Sequence, residues 1–68
     1  MKIKQLTIAL QRLLNSPDIN VPTDKMKPSM DNLMWMSMNL PLINKPSEKL
    51  YIALNLIDLL KAKMIERI

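Results

Sequence analysis

The stretch from Pro46 to Ile68 constrains this chain more than any other, because it keeps a helical period without a break. Pro46 suits the first position of a helix, where a missing N–H would have no partner in any case. Glu48 falls in the first turn, where a carboxylate meets the positive end of the helix dipole, and Lys61, Lys63 and Arg67 gather toward the negative end. At about 100° per residue, Leu50, Ala53, Leu54, Ile57, Leu60, Met64, Ile65 and Ile68 share one broad face. Tyr51, Asn55, Asp58, Ala62 and Glu66 share a narrow polar strip. Ile52, Leu56 and Leu59 form a second apolar stripe at i, i+4, i+7, roughly opposite the first, and Lys63 extends it. A surface helix ordinarily shows one apolar face. A helix with two is flanked by two other helices of its own chain, or meets a second chain along one stripe. The expectation is self-association, as a dimer, through Ile52, Leu56 and Leu59.

Sixty-eight residues allow one small domain, near the lower limit for an independent core. Ordering such a chain costs about 1.5 kcal/mol per residue, so burial and entropy nearly cancel. Small domains make up the difference with disulfides, a metal or a partner. Cysteine and histidine are both absent, which removes disulfides and the usual zinc sites. A partner remains. A small secreted domain is more often disulfide-stapled, and Met1 to Leu10 lacks the continuous apolar run and small-residue cleavage site of a signal peptide. No run is long enough to span a bilayer. These features suggest a cytoplasmic protein.

Lys2 to Leu14 reads as the first helix, within a segment of about 2–15. Ile3, Leu6, Leu10, Leu13 and Leu14 share a face, with Lys4, Gln11 and Arg12 off it and Ile8 partly exposed. Its basic face carries only Lys2, Lys4 and Arg12, and its apolar face has no aromatic anchor, so a helix lying on a membrane is disfavoured. Asn15-Ser16-Pro17-Asp18 stops it. Residues 15–27 form a connection long for so small a domain, with a helical turn around Thr23 to Met26 and with Ile19 and Val21 as anchors. There is no glycine, so turns depend on Pro, Asn, Asp and Ser, and left-handed backbone falls to residues such as Asn.

The second helix is expected over 28–40, with Pro28 in its first turn and Pro41 ending it. Leu33 to Leu40 is apolar almost all round and alternates enough for a short strand, but flanking prolines, methionines and the lack of a pairing strand favour helix. The third helix is expected over 46–67. Lys-Pro-Ser occurs at Lys27 to Ser29 and again at Lys45 to Ser47, each time before an apolar run, as one helix start used twice. The fold class is therefore all-α, a small three-helix domain associating through its C-terminal helix. The expected core includes Leu6, Leu10, Leu13, Leu33, Leu50, Leu54, Ile57 and Met64.

Seven methionines are many for this length, and five fall between Met26 and Met38. Met26, Met30 and Met34 recur every fourth residue and would line up along a helix, while Met34, Met36 and Met38 alternate around Trp35. Thioethers at such spacing can ligate Cu(I), but no His or Cys strengthens a site. Core filler is the plain reading of these residues. An adaptable binding surface is the other, because methionine repacks around different partners. On that reading Met30, Met34, Trp35, Met36 and Met38 contact another protein, with Trp35 as anchor.

No enzyme is expected. The six carboxylates are scattered, and there is no His for acid–base work, no Cys nucleophile and no Gly-rich phosphate cradle. No cofactor or metal is expected. Lys61, at the edge of the main face, either snorkels from the core or meets a partner's acid. A net charge of +4 permits weak attraction to nucleic acid. A small basic nucleic-acid-binding dimer is thus the alternative, although no helix concentrates the Arg, Asn and Gln of a base reader. The preferred function is a protein-binding regulator or inhibitor. The lysine, asparagine and isoleucine content suits a small accessory protein of a bacterium or phage.

Overall fold

The computed structural model of the chain describes residues 2–66. It contains helix α1 (Ile3–Leu14), a single 3-10 turn (Thr23–Lys25), helix α2 (Met30–Ile43) and helix α3 (Glu48–Glu66). The described residues contain no strand, so the fold is a small all-α, three-helix domain and Leu33 to Leu40 is helical. Arg67 and Ile68, expected at the end of the last helix, lie outside the described residues.

The three helix starts and the ends of α1 and α2 each have a local cause. At the start of α1 the Lys2 N–H donates to Gln5 Oε1 at 3.2 Å. The ammonium of Lys2 has no lone pair to return the bond, so this cap is one-sided. At the other end Asn15 N–H donates to the Gln11 carbonyl (3.0 Å) and Ser16 N–H to that of Leu13 (3.1 Å). Helices α2 and α3 start alike. Ser29 Oγ accepts the Asn32 N–H at 3.2 Å, and Ser47 Oγ accepts the Leu50 N–H at 3.1 Å. The repeated Lys-Pro-Ser is thus one helix start used twice, but the serine makes it. Pro28 and Pro46 precede the caps instead of opening the helices, so α2 and α3 begin two residues later than their prolines suggested.

Pro41 does not end α2, which runs on to Ile43. In the last turn a proline withholds one helical bond, that to the Ser37 carbonyl, and little helix follows to be disrupted. Asn44 then leaves the helix in extended conformation, and its Nδ2 donates to the Leu40 carbonyl at 3.0 Å. The same amide closes a reciprocal pair with the connection, donating to the Asn20 carbonyl (2.9 Å) and accepting the Asn20 N–H (2.7 Å). Asn32 does comparable work at the other end of α2, donating to the Lys27 carbonyl at 2.9 Å. No described residue has a positive φ. Side-chain amides, rather than left-handed asparagines, supply the turn chemistry here.

Helix α3 is the spine. Its 19 residues span about 28 Å at 1.5 Å per residue, most of the 33 Å length of the molecule. Both α1 and α2 lie against it, and no comparably close backbone approach joins α1 to α2. Lys49 Nζ donates to Asp18 Oδ2 (2.9 Å) and Ser16 Oγ (3.2 Å), which brings the end of α1 beside the start of α3. The short link through Asn44 to Ser47 does the same for α2, so both helices run antiparallel to the spine. The long connection supplies what the helices lack. Ile19 is buried in the common core, and Val21 and Met26 pack against it.

The core is formed by Leu6, Leu10 and Leu14 of α1, Ile19, Leu33, Met36 and Leu40 of α2, and Leu50, Ala53, Ile57 and Leu60 of α3. Of the expected core, Leu6, Leu10, Leu33, Leu50 and Ile57 are buried, whereas Leu13, Leu54 and Met64 are half-buried at its margin. Burying a side chain such as these leucines contributes about 1.5–3 kcal/mol each, which must offset the ordering entropy of the whole chain.

Candidate interaction surfaces

Helix α2 has apolar residues on both sides, and its packing decides their roles. Leu33, Met36 and Leu40, at i, i+3, i+7, face the core. Met34, Met38 and Leu42, at i, i+4, i+8, form a ridge on the opposite side. They are 49, 71 and 79 % exposed. Met36 was expected on the partner-binding surface, and that is corrected: its side chain is wholly buried, because its position shares the inward face of α2 with Leu33 and Leu40. Met30 is half-buried at the start of the helix. Met26 lies beyond the 3-10 turn and outside α2, so Met26, Met30 and Met34 do not form one helical line.

Trp35 is half-buried at the border between the two sides and packs against the core. The Lys25 ammonium stands 5.7 Å from its ring centroid, a cation–π contact worth about 0.5–1 kcal/mol at an exposed site. Leu42 is the most exposed residue of the ridge and escaped the sequence reading, which stopped α2 before Pro41. Its signal was its place four residues beyond Met38.

A second surface lies on α3. Ile52 and Leu59 are 42 and 51 % exposed, while Leu56 is half-buried and packs against the core from its edge. The stripe is therefore split, with two residues open and one largely claimed by the fold. Lys61 is held within the chain: its Nζ donates to Ser37 Oγ at 3.2 Å, joining α3 to α2, and stands 3.5 Å from Asp58 Oδ1.

The cleft lined by Gln11, Asn15, Met26 and Lys27 is open to solvent and about 410 Å³ in volume. It offers amides and one cation, with no buried polar group to orient a ligand. Among the described residues no group of three or more His, Cys, Asp or Glu could hold a metal ion, and no helix is long and apolar enough to cross a membrane. Comparison of the chain with protein-family models, curated proteins and solved structures finds no match.

Proposed function

We propose that the protein is a non-enzymatic, protein-binding regulator or inhibitor that acts through the outward ridge of α2. One observation carries this reading: Met34, Met38 and Leu42 stand exposed in a row on a helix that already buries its opposite side. Contiguous exposed apolar surface marks interaction sites, and methionine makes such a surface deformable. Met30 and Trp35 border the ridge and extend the contact, with Trp35 offering an aromatic anchor whose ring stands 5.7 Å from the Lys25 ammonium. Cytoplasmic location belongs to the same proposal, supported by the absence of cysteine from so small a domain. So does self-association through the exposed residues of the α3 stripe, Ile52 and Leu59, with Leu56 at its edge.

The test is parallel affinity capture from the native host with the wild type and with Met38→Lys. Circular dichroism first establishes that the variant is folded, as expected for so exposed a site. A charge at the centre of an apolar contact is expected to cost at least about 2 kcal/mol, or some 30-fold in affinity. The variant should lose a protein that the wild type retains, with little dependence on salt. Equal capture by both removes the ridge as the site. If the wild type retains nucleic acid that elutes steeply with salt, the nucleic-acid reading takes its place.

A further inference from the structure

We infer that α3 pairs with α3 of a second copy in antiparallel orientation, about a two-fold axis beside Asn55 and Leu56, with Glu48 of each copy against Lys63 of the other. The inference rests on the self-association proposed above and adds its geometry and its polarity. Along one flank of α3, Glu48, Ile52, Asn55 with Leu56, Leu59 and Lys63 follow one another at spacings of three or four residues. That is the spacing of a seam between two helices packed at a shallow angle. Glu48, Ile52, Asn55 and Leu59 are exposed, and Leu56 and Lys63 are partly so.

The order along the seam is self-complementary: acid, apolar, centre, apolar, base. In a two-fold contact, if one residue meets a second, the second meets the first on the other copy. Setting Ile52 against Leu59 of the second copy antiparallel also sets Asn55 against Leu56 and Glu48 against Lys63. Each of these contacts occurs twice. A parallel pair would set Glu48 against Glu48 and Lys63 against Lys63, which repel. Charge thus selects the second copy as occupant and selects its direction. Neither residue takes part in the two ion pairs among the described residues, Lys49–Asp18 and Lys61–Asp58. A standard interface buries about 800 Å² per partner, a large share of the 4786 Å² surface of this protein.

Sedimentation equilibrium across the micromolar range tests the association, and oxidative cross-linking tests the direction. The chain has no cysteine of its own. An equimolar mixture of Glu48→Cys and Lys63→Cys proteins should give a cross-linked dimer containing one chain of each, while either variant alone should cross-link poorly. Glu48→Lys or Lys63→Glu should weaken the wild-type dimer about tenfold, because two pairs turn repulsive at once. The double reversal should restore it. Leu59→Lys should abolish it, with helicity retained in each case. A wild type that stays monomeric overturns self-association and this geometry together. A dimer that Leu59→Lys leaves intact overturns the α3 surface. A dimer that Leu59→Lys abolishes, but in which each cysteine variant cross-links to itself and charge reversal changes nothing, overturns the antiparallel register while self-association stands.

Discussion

Met36 and Met38 are two residues apart on one helix and have opposite fates, the first wholly buried and the second mostly exposed. Met36→Ala would leave a cavity among Leu33, Leu40 and the facing helix, and should cost about 2–5 kcal/mol. Met38→Ala should change stability by less than about 0.5 kcal/mol. Urea denaturation of the two variants measures the contrast, and equal losses would refute the assigned orientation of α2. The sequence could not supply this distinction. A helix apolar on all sides has no phase for periodicity to read, so methionine marked the segment without marking its face. Leu33 was legible as core, but Met36 and Leu40 needed the position of α3. Trp35 sits at the border, so Trp35→Ala disturbs packing and surface together, and Met38→Lys is the cleaner probe of binding.

At the scale of elements, the starts of α2 and α3 make one prediction twice. Removing a serine cap that accepts a backbone N–H costs about 1 kcal/mol, and in a domain of this size each kcal/mol lowers Tm by about 4–8 °C. Ser29→Ala and Ser47→Ala should each show such a drop by thermal melting. A variant with unchanged Tm would mean that water serves the Asn32 or Leu50 N–H equally well. The repeated tripeptide made both starts legible to within two residues, and the error came from giving proline the role that serine holds. The end of α2 was less legible, since a proline reads as a stop wherever it falls. Only the structure shows that Pro41 lies so near the end that a single backbone bond is withheld, and that Asn44 closes the helix with its side chain. The same misplaced boundary hid Leu42, and with it the outer end of the candidate ridge.

For the whole molecule, the three helices were legible, because the breakers are strong and α1 is plainly one-sided. What covers the remaining apolar surface was not, because periodicity gives directions around a helix and not the neighbours found there. The long connection illustrates the point: Ile19 was recognised as an anchor, but its burial alongside residues of all three helices is a property of the assembled fold. That burial predicts that the connection is part of the cooperative unit. Ile19→Ala removes most of a side chain that is 5 % exposed and should cost about 2–4 kcal/mol, much of the roughly 3–5 kcal/mol that a single small core supplies. At typical urea m-values the midpoint should fall by roughly 2 M. The measurement uses two probes, ellipticity for the helices and fluorescence for the single tryptophan, Trp35, which reports on α2 near the 3-10 turn. Both transitions should move together if Ile19 belongs to the shared core. A shift in fluorescence alone, with the helical transition unmoved, would make the connection a strap laid over α2 and leave the three helices to hold one another without it.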